Sequence, residues 1–282
     1  MRGAIAAGHP LTAEAGARVL AEGGNAVDAC LAAGFASWVA ESPLTGPGGG
    51  GFMLVHRARD RTTRVFDFFV AAPGIGLEPG TASAMEAISV DFSGDSTQVF
   101  KIGAASCAVP GAAAGLEAVH RAYATLPWRE LIAPAVELAR NGVELTRPQA
   151  YLHAILDLIL RATPEGRAVY GEGTRLVAGD RIVMNDLAGT LELLAERGAA
   201  ELYRGELSAA LVQHVRAGGG AITERDLAEY RVIRRRPVTA TYRGHEYCSN
   251  PPPSSGGILI AYALRLLDQL EPNGPPGSAE QI

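Results

Sequence analysis

The sequence predicts an α/β protein in which helices outnumber strands. Three observations carry the prediction. Apolar residues recur at helical spacing in most segments between residue 12 and about residue 270. Two short runs, Phe52–His56 and Thr63–Phe69, instead read as strands. No shift in composition divides the chain before residue 271, so one unit over 1–270 with a flexible tail over 271–282 is expected. Of the 282 residues, 48% are apolar and 20% charged, which suffices for a sizeable core and is too apolar for a disordered chain.

Each element has a local cause. Thr12 is expected to cap a helix on which Ala15, Val19 and Leu20 share a face, and Gly23-Gly24 stops it. Asn25 caps a second helix, Ala26 to Val39, which is apolar nearly all round and therefore buried. After Pro43 and the block Gly48-Gly49-Gly50-Gly51, the two strands pair as a hairpin around the polar loop Arg57–Arg61. Residues 74–100 are polar, glycine-rich and poorly periodic, so they read as irregular. Pro110-Gly111 opens a helix over Ala112–Tyr123, and Pro127 opens another that closes at Arg140-Asn141-Gly142. Further helices are predicted at 147–162, 186–197, 206–217 and 224–230. Strands Val238–Tyr242 and Glu246–Ser249 flank the turn Arg243-Gly244-His245. The segment Asn250-Pro251-Pro252-Pro253-Ser254-Ser255-Gly256-Gly257 then leads into an apolar helix ending near Leu270.

Several function classes drop out. A net charge of −5 argues against a nucleic-acid partner, which calls for a basic face. No apolar run reaches about 18 residues, so no membrane-spanning helix is expected. Cys30, Cys107 and Cys248 form no paired motif and read as buried free thiols, and the scattered histidines show no metal-ligand spacing. Gly46-Pro47-Gly48-Gly49-Gly50-Gly51 matches a dinucleotide fingerprint in letters only, because the order here is helix, glycines, strand. It reads as a turn, or as a close approach to a neighbouring chain. Ser254-Ser255 reads as a helix cap and Arg234-Arg235-Arg236 as a solvated charge run. Met1–His9 lacks an apolar leader and Lys101 is the only lysine, a bias of GC-rich coding; a cytoplasmic location is expected.

Seven segments in register add a resemblance. Gly8-His9-Pro10-Leu11, Gly23-Gly24-Asn25-Ala26-Val27-Asp28-Ala29 and Gly48 to Leu54 come first. Pro110-Gly111, Ala133-Pro134-Ala135, Leu138-Ala139-Arg140-Asn141-Gly142 and Asn250 to Gly257 continue it. Together they resemble the large-subunit half of the γ-glutamyltranspeptidase family, from about residue 3 to about residue 270. The resemblance implies a four-layer αββα N-terminal-nucleophile hydrolase sandwich, completed by a separate small subunit from the same precursor. It implies a precursor that cuts itself ahead of a threonine, whose freed α-amine is the general base for its own hydroxyl. An acyl-enzyme forms, and water or an acceptor amine resolves it. No metal or organic cofactor is implied.

Two departures from the family pattern matter. Nothing like the Thr-Thr-His opening of the family's small subunit occurs, and the sole Thr-Thr, Thr62-Thr63, runs into Arg64 inside the hairpin. The nucleophilic threonine is therefore expected beyond Ile282, no catalytic residue is assigned in this chain, and the chain alone is expected to be inert. Second, the resemblance places Asp-Phe-Arg-Glu-x-Ala-Pro where this chain reads Asp67-Phe68-Phe69-Val70-Ala71-Ala72-Pro73. In the family that arginine holds the α-carboxylate of the γ-glutamyl group. Phe69 and Val70 become the candidate substrate-binding residues. Phenylalanine forms none of the charge-assisted bonds that arginine makes to a carboxylate, each worth about 1.5–3 kcal/mol. Arg64 or an arginine of the partner chain could replace it, and Phe69 could equally be core beside Phe66 and Phe68.

A small-molecule substrate other than glutathione follows as the expectation. Cephalosporin-acylase-like members are one precedent in the family. Homologues in alkylproline antibiotic pathways, which cleave a carbon–carbon bond, are another. A standard γ-glutamyl hydrolase/transferase and a non-catalytic ligand-binding homologue are the alternatives.

Overall fold

Two capped helices open the chain in the computed structural model, which describes residues 3–93, 96–270 and 277–278. The predicted tail at 271–282 thus lies outside the described residues apart from Gly277 and Ser278. Helix α1 (Pro10–Ala21) begins earlier than predicted, because Pro10 presets the first helical φ and His9 caps it, its Nδ1 accepting from Leu11 N at 3.1 Å. Thr12 is instead buried in the first turn and donates its hydroxyl to Glu41 Oε1 at 2.7 Å. Helix α2 (Ala26–Ala40) starts at Asn25 as predicted, with a full capping box to Asp28. The Asp28 carboxylate is wholly buried and accepts from Asn25 N, Thr125 N, Thr125 Oγ1 and Leu126 N at 2.6–3.1 Å. Burial opposes its charge, yet these bonds more than offset it and hold the carboxyl below the usual carboxylate range.

Strands β1 (Gly51–Arg57) and β2 (Thr62–Phe68) form the predicted hairpin, with Gly51 opposite Phe68. The irregular reading of 74–100 is wrong in its second half. There β3 (Glu86–Ser93) pairs antiparallel with β4 (Ser96–Ile102). Ile88, Val90 and Phe92 alternate with polar residues, a period-two signal hidden among polar neighbours. Val90 is buried, and Phe92 meets Phe100 at 6.1 Å.

Helices α3 (Ala112–Tyr123) and α4 (Trp128–Asn141) lie where predicted. A two-residue strand β5 (Val143–Glu144) follows, and the helix predicted at 147–162 divides into α5 (Arg147–Ile155) and α6 (Asp157–Leu160). Leu156 leaves the helical region at φ −92°, ψ 9°, and Thr163 with Pro164 at N1 restarts the chain as α7 (Pro164–Tyr170). Strand β6 (Arg181–Ile182) pairs with β5. Then come α8 (Asn185–Arg197), α9 (Ala200–Arg204), α10 (Glu206–Ala217) and α11 (Glu224–Glu229). At five residues α9 is too short to show a period.

Strand β7 (Ile233–Arg235) precedes the hairpin β8 (Val238–Tyr242) and β9 (His245–Ser249), and α12 (Ser255–Asp268) closes the fold. β7 joins the free edge of β2, setting Ile233 opposite Asp67 and giving the order β1-β2-β7. Val65, Phe66, Asp67 and Phe68 on the central strand are consequently all buried. The main core lies among α2, α3, α4 and α8, where Phe35 sits edge-on to Trp38 and Trp128 at 5.0 and 5.1 Å. The predicted α/β class, richer in helix than strand, is what the chain adopts.

One surface differs from a sealed monomer. α12 packs Gly257 and Ala261 inward against β8 and β9, yet Leu259 and Tyr262 are each 62% exposed. Ser254 occupies its N-cap position without a side-chain cap bond, so the predicted serine cap does not form. The three cysteines are free, but none is buried as expected: Cys30 is exposed on α2, and Cys107 and Cys248 are half-buried. Among the described residues no helix is long and apolar enough to cross a membrane, and no group of three acidic, histidine or cysteine side chains is set to hold a metal.

His153 gives the fold a pH dependence. Its ring is 2% exposed, lies edge-on to Tyr170 at 5.3 Å, and neither nitrogen has a hydrogen-bond partner among the described residues. Burial pushes its pKa below the ordinary 6.5, so the folded state holds the neutral ring. The unfolded chain then binds the proton more readily, and stability falls as pH drops through about 6.5. Melting curves at pH 5 and pH 8 should show this loss, and His153→Leu should flatten it.

Candidate substrate pocket

The glycine block exists so that two backbones can meet. A Cβ on Gly50 would lie 2.7 Å from Val70 N and 2.8 Å from Phe68 O, contacts that real side chains do not tolerate. Gly111 is equally confined, between Phe68 O and the Tyr230 hydroxyl. Gly111 N and Ala112 N donate to Gly49 O at 2.9 and 3.0 Å, and Ala71 exchanges two backbone bonds with Val109. The segment leaving β2 is therefore clamped on both sides. Both readings of this block hold in part: Gly49 N donates to Gly46 O at 3.1 Å in a turn, and the close approach is to residues 68–70 of this same chain.

Phe69 and Val70 sit on that clamped segment. Phe69 N donates to Asp67 Oδ1 at 3.0 Å, and Phe69 O accepts from the Tyr230 hydroxyl at 2.8 Å. The Phe69 ring stacks on Phe52 with centroids 5.6 Å apart and is 47% exposed, so it is not a core side chain like Phe66 and Phe68. Both residues line a cavity of about 300 Å³ whose other walls include Ile75, Tyr230, Arg231 and Pro253.

The charged groups around this cavity are nearly all committed. Asp67 is 5% exposed and accepts from Arg235 Nε at 2.6 Å. Arg234 lies over the Phe66 ring at 5.3 Å, so the arginine run is not merely solvated: two of its members pack on β2. Asp226 is buried and accepts from Gly74 N, Ile75 N, Thr223 N and the Thr223 hydroxyl at 2.8–3.0 Å, which ties the 74–75 loop to the start of α11. Burial works against its charge, but those bonds prevail and hold its pKa low. Tyr230 stacks on Tyr203 at 5.6 Å; its burial, and then the charge of Asp67, push its pKa up, so it stays a hydrogen-bond donor at neutral pH.

Arg64 does not take over the place of the missing arginine. It lies toward the Thr62 end of β2, donates to Thr63 O at 2.9 Å and does not line the cavity. Among the described residues no serine, threonine, cysteine or histidine lines the cavity either, and Thr62-Thr63 lie in the hairpin strand. The geometry offers binding and positioning groups without a nucleophile.

A family model described as Gamma-glutamyltranspeptidase matches residues 12–281. The chain belongs to the gamma-glutamyltranspeptidase family. The glutathione hydrolase proenzyme of Bacillus subtilis (strain 168) is 34% identical over 266 residues, covering 94% of this chain and 44% of that protein. The acylase ACY 1 proenzyme of Pseudomonas sp. (strain V22) is 38% identical, covering 95% of this chain and 48% of its own length. Among solved structures, the Helicobacter pylori gamma-glutamyltranspeptidase superposes with a TM-score of 0.86 at 31% identity, over 98% of this chain and 78% of that one. The chain spans about half the length of the curated relatives it matches.

The far wall of the pocket, Asp226 to Arg235, escaped sequence reasoning. One signal could have exposed Arg235. Asp67 is the single acid in a strand otherwise buried and apolar at its end, and a buried carboxylate demands donors.

Proposed function

We propose that this chain is the large-subunit portion of a self-processing gamma-glutamyltranspeptidase-family amidase whose acyl donor is not glutathione. The observation that carries this reading is Phe69, an exposed ring stacked on Phe52 at the cavity, in the position where the family pattern has its carboxylate-binding arginine. The 38% identity to an acylase proenzyme supports an amide substrate with a different acyl group. The proenzyme names of the relatives, each about twice as long, support a second chain cut from the same precursor. The exposed apolar face of α12 is the surface on which we place that chain.

In this reading the small subunit begins with threonine. Its α-amine accepts the proton of its own hydroxyl as the oxygen attacks the amide carbon. Collapse of the tetrahedral intermediate expels the amine, which takes up that proton, and leaves the acyl group esterified to the threonine. Water then attacks the ester and frees the acid. The clamped Phe69–Val70 segment holds the acyl group, and Asp67 and Tyr230 fix that segment.

Expression of the full precursor, followed by denaturing mass spectrometry and N-terminal sequencing, tests the first half. A second polypeptide with threonine at its N-terminus is expected. A single uncut chain would bring forward the ligand-binding reading. Comparing pentanoyl and γ-glutamyl 4-nitroanilides tests the second half. A kcat/KM for the γ-glutamyl anilide equal to or above that for the pentanoyl one would return the protein to the standard glutathione hydrolases.

A further inference from the structure

We infer that the cavity beside Glu41 and His9 is a second ligand site, one that takes a small α-amino amide: an ammonium and a neighbouring carbonyl on a branched apolar side chain. It shares no lining residue with the Phe69 pocket, so it stands or falls apart from the amidase reading.

The cavity, of about 440 Å³, lies where the start of α1, the end of α2 and the start of α5 meet. That volume suits a small organic molecule. Leu44 N and Thr45 N both donate to Glu41 O, at 2.8 and 3.1 Å, and this turn after α2 sets Pro43 and Leu44 in the wall. Pro10, Pro148 and Leu152 extend the apolar surface. Thr146 and Gln149, the α5 capping box, are spent on each other and on α2. Gln149 Oε1 accepts from Thr146 N and from the Thr146 hydroxyl at 3.1 and 2.8 Å, and Gln149 Nε2 donates to Ala40 O.

Two polar side chains remain unspent. Glu41 is half-buried; its Oε1 accepts from the Thr12 hydroxyl at 2.7 Å, while Oε2 has no hydrogen-bond partner among the described residues. A Cβ on Gly8 would collide with that oxygen, so the backbone closes over one side of the carboxylate. His9 is only 6% exposed. Its Nδ1 accepts from Leu11 N at 3.1 Å, which puts the ring proton on Nε2, and Nε2 has no partner among the described residues. A buried N–H left unpaired is costly, and so is a carboxylate on an apolar wall without a cation.

Those two demands define the ligand. An ammonium donates to Glu41 Oε2, and an acceptor next to it takes the His9 Nε2–H. The acceptor must be neutral, because no arginine or lysine among the described lining residues would meet a second negative charge. The carbonyl of an amide satisfies this, whereas a free carboxylate would face Glu41. The prolines and leucines of the wall receive an aliphatic side chain of leucine size.

Calorimetric titration of the processed two-chain protein with leucinamide, at about pH 6.5 where its amine is protonated, tests the site. Saturable binding is expected. 4-Methylpentanamide, which lacks the amine, and 3-methylbutylamine, which lacks the amide, should each bind about tenfold more weakly or worse. Leucine, with its free carboxylate, should bind more weakly too. Glu41→Gln should weaken leucinamide by about tenfold or more and erase its advantage over 4-methylpentanamide. Glutamine still accepts from the Thr12 hydroxyl, so the melting temperature should hold. Leu152→Trp fills the cavity while leaving both polar groups in place, and should weaken leucinamide as well; it carries the test if Glu41→Gln does not fold. No saturable binding of leucinamide to wild type overturns the inference. Binding that either folded variant leaves unchanged overturns it too, since the ligand would then sit elsewhere on the protein.

Discussion

Phe69→Arg raises kcat/KM for a γ-glutamyl anilide by about tenfold or more in the processed protein. The backbone at residue 69 is pinned from both sides, by Asp67 at its N–H and Tyr230 at its carbonyl, so the substitution changes the side chain without moving its origin. With its ring 47% exposed, the site has room for a longer and flexible side chain. Arginine there supplies two charge-assisted bonds to a carboxylate, each worth about 1.5–3 kcal/mol, and about 1.4 kcal/mol is tenfold. Losing the stack on Phe52 costs about 0.5–1.5 kcal/mol of stability, too little to unfold the protein. Turnover of the pentanoyl anilide should fall, because a guanidinium in the acyl pocket must be desolvated by a methyl terminus that gives nothing back. If the variant melts many degrees lower and shows no gain with γ-glutamyl substrate, Phe69 is a packing residue and the pocket assignment is lost.

Elements with strong local causes were legible in the sequence. Asn25 announces α2 because its side chain answers amides two and three residues on, and the apolar runs 52–56 and 63–69 on either side of a polar loop announce the hairpin. What stayed hidden depends on distant partners. β7 is three residues long and becomes a strand only because β2 offers an open edge. Arg235 meets Asp67 across 168 residues of sequence, a pairing that no window along the chain contains. Thr12 shows the local signal misleading: as a cap it was plausible, but a proline at N1 settles the helix start, and the hydroxyl was left to reach Glu41. The candidate site divides along the same line. Its near wall, Phe69 and Val70, lies in a readable motif, while its far wall is assembled by the fold.

The Asp67–Arg235 pair gives the second large effect, and it is asymmetric. Arg235→Gln leaves a carboxylate that is 5% exposed without its cation, and Asp67 sits in the central strand, where it cannot turn to water. Removing one partner of a buried pair in that way costs about 3–5 kcal/mol. Asp67→Asn leaves Arg235 unpaired instead, but that side chain is 34% exposed and long enough to rehydrate, so the loss should be nearer about 2 kcal/mol. The asparagine can still accept from Phe69 N through its oxygen, though its amide then presents donors to a guanidinium that only donates. The two variants should also diverge at the pocket. Freed Arg235 adds an unpaired cation to the cavity wall, so Asp67→Asn should favour anionic acyl donors over neutral ones more strongly than wild type does. Denaturant midpoints measure the first difference, and the ratio of kcat/KM for an anionic against a neutral acyl anilide measures the second. Equal destabilisation by both variants would mean that Asp67 reaches water more easily than its burial implies. A double variant, Asp67→Asn with Arg235→Gln, should recover much of the stability lost by Arg235→Gln alone, because the cost lies in the stranded charge rather than in the missing bond.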